Sequence, residues 1–373
     1  MFDYVRYLLL PILTSISAYG LWQGGAMVWL GLGTLFGVFF LDAFLEPDLG
    51  ERDQRFPWIY DTIVVFQLSF GFALVLSYCY WVGVGHFTET YEHVGAFLTM
   101  MFTLFVLVAP VLHEMFHREN TAQRWFGRLG MVLLFDPWRE ITHVVTHHIH
   151  TVTPNDPDYA RRGDNLYSHL IKTFKEQIAE SYHLEKMMWT KRDRKWWNIR
   201  NAWVWRVSIV IGFFCILLAI GGWTGALAAT AVCILGPRVF LEIFNYTQHY
   251  GLVTGTPGRF ENHHTWNHLT PFVRILALEI TNHAGHHRDS YMPFYRLEVD
   301  KNGPRQPQFF LCVLMAFIPP LWFAMIRPRL AEWDRSYATL QERELAEAEN
   351  IRAGWSDLNE NPIAADERYA YAI

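Results

Sequence analysis

The sequence predicts an all-α integral membrane protein with six transmembrane helices and a histidine-rich region on one side of the membrane. Of the 373 residues, 51% are hydrophobic and only 18% are charged. No Lys or Arg occurs between Tyr7 and Glu51, or between Phe56 and His117. Apolar runs of this length are typical of membrane spans. The 17 histidines are concentrated in clusters outside these runs.

Six apolar runs are predicted to cross the membrane. The first and fifth are short, and they would need flanking Tyr and Trp side chains in the headgroup layer. The runs cover about residues 7–22, 26–45, 60–82, 94–112, 204–221 and 223–244.

The charges of the connecting loops predict the orientation. Loops 23–25, 83–93 and 221–222 contain no Lys or Arg, whereas the opposite loops hold Arg52, Arg55 and the basic region 118–206. Because positive charge marks the cytoplasmic side, both termini are predicted to be cytoplasmic, in an inner (plasma) membrane.

The remaining segments are expected to complete a single domain, 1–373. Segments 113–203 and 245–308 are predicted to be cytoplasmic and to carry the chemistry. The apolar run 309–326 contains Pro319 and Pro320, so it is predicted to be interfacial or re-entrant rather than spanning. Residues 327–373 are predicted to form a cytoplasmic C-terminal tail, with a charged helix over 330–351 and a loose end.

Composition excludes several classes of function. A net charge of −5 without a long basic tract argues against nucleic acid as a partner. The four cysteines lie in apolar stretches without a CxxC pair, so neither a disulfide framework nor a thiolate metal site is expected. No internal repeat is evident, which disfavours a transporter built from duplicated halves.

Twelve of the 17 histidines occur in five clusters. Residues three or four apart share one face of a helix, so their imidazoles can converge on one point. All five clusters fall on the predicted cytoplasmic side, whereas His86 and His93 fall on the opposite side. The clusters are His-Glu-Met-Phe-His (113–117), His-Val-Val-Thr-His-His (143–148), Asn-Tyr-Thr-Gln-His-Tyr-Gly (245–251), His-His-Thr-Trp-Asn-His (263–268) and His-Ala-Gly-His-His (283–287).

This pattern indicates metal binding. An isolated pair of histidines is usually a solvated or hydrogen-bonded pair, but nine at ligand spacing on one membrane face favour a metal site. Nine imidazoles exceed the four ligands that zinc usually takes, so two ions sharing the set is the simpler interpretation. The residue types alone leave iron and zinc open.

The clusters resemble those of the membrane di-iron alkane hydroxylases and, more closely, of the xylene, toluene and p-cymene methyl-group monooxygenases. The similarity extends to the C-terminal runs that begin at Ile318 and at Trp333. It implies a fold like that of the fatty acid desaturases and hydroxylases. It also implies an enzyme, an O2-dependent monooxygenase that hydroxylates a hydrocarbon methyl group to the alcohol.

The resemblance also implies the cofactors and partners. These are two non-haem iron ions, O2 as co-substrate, and electrons that pass from NADH through a ferredoxin-type reductase or through rubredoxin and its reductase. A small hydrophobic substrate would enter from the membrane lipid. The implied iron ligands are His113, His117, His143, His147, His148, His249, His283, His286 and His287.

Three departures from the alkane-hydroxylase pattern favour the aromatic-methyl branch. Thr142 and Gln248 stand where those enzymes usually have Glu, and Gly285 stands in place of Asp. A terminal alkane 1-monooxygenase remains the alternative, and a fatty-acid desaturase or hydroxylase is the second alternative. A His-rich metal transporter is disfavoured because the spans contain few polar residues.

Further groups are expected around the metals. Because nine neutral ligands leave the charge of the metals uncompensated, nearby carboxylates are expected to accept the outer N–H groups of the ligands. His264 is expected either as a spare ligand or as such an outer group. The candidate carboxylates are Glu114, Glu140, Glu242 and Glu279, and the aromatic residues expected at the substrate pocket are Phe40, Phe66, Phe70 and Phe105.

The basic and aromatic stretch Lys186–Arg206 has two equally weighted interpretations. It is expected either to dock an acidic, ferredoxin-like reductase or to hold anionic lipid at the membrane surface.

Overall fold

The computed structural model describes residues 3–358, and within this range the chain is helical and contains no strand apart from an isolated bridge between Asn267 and Arg305. This confirms the predicted all-α class. The α-helices are α1 (Leu9–Gln23), α2 (Leu30–Asp42), α3 (Pro57–Gly83), α4 (Thr90–Leu107), α5 (Ala109–Phe116), α6 (Thr121–Gly130), α7 (Arg139–Ile141), α8 (His148–His150), α9 (Leu166–Lys191), α10 (Ala202–Cys233), α11 (Val239–His249), α12 (Pro271–Leu276), α13 (His283–Arg288), α14 (Phe309–Ala316), α15 (Pro319–Ser336) and α16 (Leu340–Ala353). Short 3₁₀-helices cover Asp3–Leu8, Gly25–Trp29, Met131–Leu133, Asn262–His264, Phe294–Arg296 and Ser356–Leu358, and π-helical turns cover Thr142–His147 and Ile234–Arg238.

Five helical runs among the described residues are long and apolar enough to cross a membrane. The first four coincide with the first four predicted spans, and the fifth contains both of the last two. The runs are Asp3–Gln23, Gly25–Asp42, Pro57–Gly83, Thr90–Phe116 and Ala202–His249.

The fifth run folds back on itself. Gly222 has φ 60° and ψ −165°, which is not helical. On a straight helix Arg206 and Arg238 would be ~48 Å apart, at 1.5 Å per residue. Instead, Arg206 contacts the carbonyl of Pro137 at 3.3 Å and Arg238 pairs with Asp136 at 2.8 Å. The chain therefore reverses at Gly222, within the loop predicted between the fifth and sixth spans, while the number of membrane crossings stays a prediction.

The hairpin packs closely on α3. A Cβ atom at Gly225 would lie 2.2 Å from the carbonyl oxygen of Cys79, and one at Gly221 would lie 2.3 Å from the same atom. Only glycine allows two helix backbones to approach this closely. Helices α1, α2 and α4 complete the apolar bundle around this pair.

The C-terminal region is more helical than the sequence predicted. Pro319 and Pro320 begin α15, where a missing N–H costs nothing, instead of interrupting a helix. The charged helix predicted over 330–351 is divided, because α15 ends at Ser336 and Thr339 caps α16. The placement of 309–326 at the membrane interface and of the tail in the cytoplasm stays a prediction, and 359–373 lie outside the described residues.

Candidate metal centre

The histidines converge from the ends of four helical segments. α5 carries His113, with His117 directly after it, and α11 ends at His249. The segment 139–150 and the short helix α13 bring the remaining six. Because α5 and α11 end the candidate spans Thr90–Phe116 and Ala202–His249, these histidines lie at one end of the bundle.

Eight of the nine histidines form two groups of four. In each group, one ring nitrogen per residue lies within 4.8 Å of the others. The first group is His113, His117, His143 and His286, and the second is His147, His249, His283 and His287. His148 lies between the groups, with its ring centroid 4.8 Å from that of His117 and 4.5 Å from that of His287. The structure thus brings together all nine histidines.

A π-helical turn explains how His148 joins this set. In an α-helix, residue i+5 lies about 140° around the axis from residue i. The turn over Thr142–His147 has wider, i→i+5 hydrogen bonding, which brings residues five apart towards the same face. The rings of His143 and His148 are consequently 4.9 Å apart. Regular α-helical spacing alone does not predict that His148 joins the other histidines.

The Nε2 atoms of several of these histidines face one another. Nε2 of His113 lies 2.7 Å from Nε2 of His143, and Nε2 of His249 lies 2.9 Å from Nε2 of His283. Several other buried ring nitrogens have no hydrogen-bond partner among the described residues: His117 Nδ1 and Nε2, His147 Nε2, His148 Nδ1 and Nε2, and His286 Nε2. Each unpaired buried polar atom costs about 1–3 kcal/mol. Two cations, one at each group, would bind one nitrogen of each of these rings, so the residues fit a two-metal site.

The protonation states agree with metal binding. Burial lowers the pKa of His117 to about 3 and moves the pKa of His143, His148, His283, His286 and His287 well below the ordinary value. These rings are therefore neutral near pH 7, which is the state that binds metals. Softer ions such as iron, zinc or copper suit an all-imidazole set better than magnesium or calcium.

His147 differs because it has a carboxylate partner. Its Nδ1 lies 2.8 Å from Oδ2 of Asp156, and Asp158 is 4.0 Å away. Burial alone lowers the pKa of His147, but the charge of Asp156 and then of Asp158 raises it overall. Asp156 thereby orients the ring so that Nε2 points into the second group. Asp156 is not among the residues predicted from the sequence, although the segment Pro154–Asp158 follows the histidine cluster by only a few residues.

Asp156→Asn is expected to lower metal affinity by about tenfold, the lower end of the usual range for the partner of a metal-ligating histidine. The change keeps the size of the side chain and removes the charge that holds the Nδ1 proton of His147. The content of bound metal per chain measures the effect. Asp164→Asn is the control, because Asp164 lies on the same loop but faces Arg352 at 3.8 Å. Equal metal content in both variants would contradict the assigned orientation.

The four expected glutamates contact arginines instead of ligand rings. Glu114 pairs with Arg118 at 3.0 Å, and Glu140 pairs with Arg206 at 2.5 Å. These arginines balance the charge of the two carboxylates. The carboxylates therefore do not serve as hydrogen-bond partners of the histidine rings.

The other two glutamates join buried networks that position the ligand segments. Glu279 accepts hydrogen bonds from Tyr7 at 2.6 Å and from Arg52 at 2.7 Å. Its own φ is 59°, a left-handed conformation that costs about 1–3 kcal/mol. This strained turn precedes α13, so the N-terminal helix and loop 46–55 hold the segment that presents His283.

Glu242 is bound by Arg139 and Arg238 and lies 3.0 Å from Gln177. The same network includes Asp158, which accepts a hydrogen bond from Asn245 at 2.9 Å. Asn245 lies one turn before His249 on α11. Its hydrogen bond to Asp158, together with the ion pairs of Glu242, therefore fixes α11 against the segment that carries His147.

His264 contributes its backbone to the site rather than a ligand nitrogen. Its carbonyl oxygen lies 3.2 Å from Nδ1 of His249, whereas its ring contacts Glu342 at 2.5 Å. Of the two roles expected for His264, the position matches the outer group.

An apolar cavity adjoins the histidines. It is bordered by α2, α4, α5, α11, α12 and α14, and among the described residues His113 is the one polar residue that lines it. Of the predicted pocket residues, Phe105 lines this cavity, whereas Phe40 and Phe66 are 66% and 55% exposed on the bundle surface and Phe70 lies outside its lining. Phe39, Phe244 and Phe309 take the expected place instead.

A second cavity connects this apolar space with the metal-binding groups. Its lining shares His113, Leu241, Phe244 and Ile280 with the apolar cavity, and adds Arg139, His143 and His283. The apolar space therefore ends at the first group of histidines.

Comparison with known proteins gives concordant similarities. The sequence model of the Fatty acid desaturase family matches residues 89–299, a range that includes all nine histidines. The chain is 36% identical to the xylene/toluene monooxygenase hydroxylase component of Pseudomonas putida over 356 residues, which is 95% of this chain and 96% of that protein. It is 29% identical to alkane 1-monooxygenase 2 of Alcanivorax borkumensis over 58% of each chain. Alkane 1-monooxygenase 1 of Pseudomonas aeruginosa is 27% identical over 69% of this chain and 68% of its own.

Proposed function

Because the chain belongs to the desaturase-like family of membrane monooxygenases that includes the xylene/toluene and alkane hydroxylases, we propose that it is the hydroxylase component of a di-iron monooxygenase acting on the methyl group of an alkyl-aromatic hydrocarbon. Membership makes it an oxidoreductase. The observation that carries the proposal is the pair of buried histidine groups at the end of an apolar cavity.

The residues of the protein would bind the metals and shield the reacting atoms from water. Iron held by His113, His117, His143 and His286 and by His147, His249, His283 and His287, with His148 between them, supplies redox chemistry with O2 when bound. One oxygen atom enters a C–H bond and the other leaves as water, which consumes two electrons and two protons. Asp156, Glu242 and Glu279 keep the ligand segments in place. The apolar cavity excludes water and directs the substrate methyl group towards His113.

The lining of the cavity supports a hydrocarbon substrate. It has no charged group that would pair with a carboxylate or a lipid headgroup, which disfavours a fatty acid. Four of its residues are phenylalanines, which suit an aromatic ring through edge-to-face contacts. They are Phe39, Phe105, Phe244 and Phe309. A terminal alkane remains the alternative substrate.

The proposal is tested on the purified membrane protein by metal analysis and product analysis. The protein is supplied with O2, NADH, a competent reductase and a mixture of p-xylene, p-cymene, toluene and octane. About two irons per chain and benzylic alcohols are expected. Octanol alone would move the enzyme to the alkane branch. Zinc, or no O2-dependent product, would overturn the monooxygenase assignment.

The electron donor and the membrane orientation are part of the same proposal. A ferredoxin-type NADH reductase, or rubredoxin with its reductase, would deliver electrons from the cytoplasm to the end of the bundle where the histidines lie. The loop charges support an inner-membrane location with both termini and the metal centre on the cytoplasmic side.

The exposed side chains of the basic stretch 186–206 favour lipid binding over docking of the electron donor. Trp196, Trp197 and Ile199 are 64%, 56% and 65% exposed, directly before the span that begins at Ala202. Exposed tryptophans beside cationic side chains at the end of a span are typical of the headgroup layer.

Replacing Lys191, Arg192, Arg194 and Lys195 with Glu is expected to leave the KM for the reductase unchanged. The variant should instead lose the thermal stabilisation that phosphatidylglycerol gives over phosphatidylcholine, because its cationic side chains no longer pair with the anionic lipid. The midpoint of thermal unfolding in each lipid measures this effect. A raised KM for the reductase with an unchanged lipid response would assign the stretch to donor docking.

A further inference from the structure

The C-terminal helices α15 and α16 lie beyond the residues matched by the family model, yet they contact the metal-binding region. The run Trp333–Thr339, which resembles the aromatic-methyl monooxygenases, provides several of these contacts. The indole Nε1 of Trp333 donates to the carbonyl of His263 at 2.6 Å, and Asp334 pairs with Arg162 at 2.6 Å. Arg162 in turn donates to the carbonyl of Gly251, two residues after the ligand His249, at 2.7 Å.

Glu342, at the start of α16, makes the contact that leads furthest towards the metals. Its Oε2 accepts hydrogen bonds from the backbone N–H of Thr339 at 2.8 Å and from the Thr339 hydroxyl at 2.9 Å. Nε2 of His263 lies 3.1 Å from the same oxygen. This carboxylate is therefore fixed by the helix cap before it meets His264.

The hydrogen bonds of His264 determine its tautomer. Its Nδ1 accepts the backbone N–H of Glu261 at 3.0 Å, so the ring proton lies on Nε2. That Nε2–H donates to Oε1 of Glu342 at 2.5 Å. The imidazole is thus held at both ends, and residue 264 cannot rotate without breaking one of these bonds.

The backbone of the same residue orients a metal ligand. The carbonyl oxygen of His264 accepts from Nδ1–H of His249 at 3.2 Å. With its proton on Nδ1, His249 presents the lone pair of Nε2 to His283 and the second group.

We propose that Glu342 is a positioning residue for the ligand His249 and acts through His264. The C-terminal helix α16 is then part of the metal centre's support, not a separate appendage. This inference rests on the proposed di-iron function.

A third metal at His263, His264 and Glu342 is the competing interpretation, because their ligand atoms also lie within 4.8 Å of one another. A cation on Nε2 of His264 would leave both nitrogens of that ring without a proton. Since Nδ1 already accepts an N–H, the hydrogen-bonded arrangement is the one that the geometry favours.

The test compares Glu342→Gln with Glu349→Gln in the full-length membrane protein. Glu349 lies on the same helix but pairs with Arg161 and Arg352, away from the histidines. The measurements are iron per chain, the Mössbauer spectrum, kcat and KM, and amide hydrogen exchange over 245–268. Glu342→Gln is expected to lower iron affinity and kcat by about tenfold with little change in KM, to alter one of two iron signals, and to accelerate exchange. Glu349→Gln should retain the wild-type signals.

Removal of His264 tests the route of this effect. His264→Ala should produce the same loss, and the double variant with Glu342→Gln should be no worse than either single variant, because both remove one connection. Additive losses, or equal behaviour of the Glu342 and Glu349 variants, would overturn the inference. So would a third metal that is lost in Glu342→Gln. Wild-type protein without iron would overturn the proposed function itself, whereas wild-type iron with an insensitive Glu342 variant would overturn this inference alone.

Discussion

Substitution of His286 with alanine is expected to lower hydroxylation at least 100-fold and to release one of two irons. His286 belongs to the first group of four histidines, and its Nε2 has no partner among the described residues. Loss of a partner that merely orients a ligand costs about 10- to 100-fold, so removal of the ligand itself should exceed this. Iron per chain and the Mössbauer spectrum measure the loss, and His249→Ala should affect the other iron signal.

The control for this prediction is a buried histidine outside both groups. His169 on α9 is fully buried and contacts the ring of Tyr246, with centroids 5.2 Å apart. His169→Gln should lower thermal stability and keep both irons. If His286→Ala retained two irons, or if both groups lost metal equally in every single variant, the assignment of four histidines to each metal would be wrong.

His148 should behave differently from the residues of either group. Since its ring lies between His117 and His287, its removal is expected to broaden both iron signals. This expectation depends on the π-helical turn, which places the ring of His148 between the two groups. Regular α-helical spacing alone would not predict a role for His148 that differs from that of His143 or His147.

Helical spacing in the sequence pointed to His113/His117, His143/His147 and His283/His286/His287, because spacing along a helix is a local property, whereas the full set of nine was implied by the family resemblance. The pairs His113/His117 and His283/His287 lie one turn apart on short helices, and such pairs are visible in sequence. The division of the nine into two groups depends on how distant helix ends meet. His143 joins His286, whereas its neighbour His147 joins His249. No local pattern contains that information.

The outer carboxylates show the same limit. Glu242 and Glu279 were expected beside ligand rings because they are acidic residues near the clusters. Both are instead bound by arginines distant in sequence, such as Arg139 and Arg52. Burial of an unpaired carboxylate is costly, so the nearest cation determines its partner. Asp156 reaches His147 because no cation is closer to it among its described contacts.

The reversal at Gly222 was predictable for a different reason. The uncharged loop and its two adjacent glycines separate two apolar runs, and this signal is local. The packing of the paired prolines was not predictable from the sequence. Pro319 and Pro320 break the apolar run, as expected, but they do so by starting α15. α14 before them thereby becomes a wall of the cavity through Phe309.

Ala109→Phe is expected to lower turnover of alkyl-aromatic substrates at least about 100-fold while iron content stays at the wild-type level. Ala109 is 1% exposed, lines the apolar cavity and lies one turn before His113 on the same face of α5. A phenyl ring at this position would occupy the space next to the metals. Displacement of a substrate by only 1 Å from its reacting position can cost about 100-fold. Steady-state rates with p-xylene and iron per chain check this.

A substitution that enlarges the cavity tests whether the cavity also determines the substrate preference. Phe105 precedes His113 by eight residues, about 12 Å along the helix axis, and stacks on Phe240 with centroids 4.0 Å apart. Phe105→Leu should extend the cavity away from the metals and raise the rate with octane relative to p-xylene, with iron unchanged. If Ala109→Phe kept its activity and Phe105→Leu its preference, the substrate would have to reach the histidines from elsewhere. The cavity that carries the hydrocarbon assignment would then be a packing defect, and only the metal site would remain in support of the proposed function.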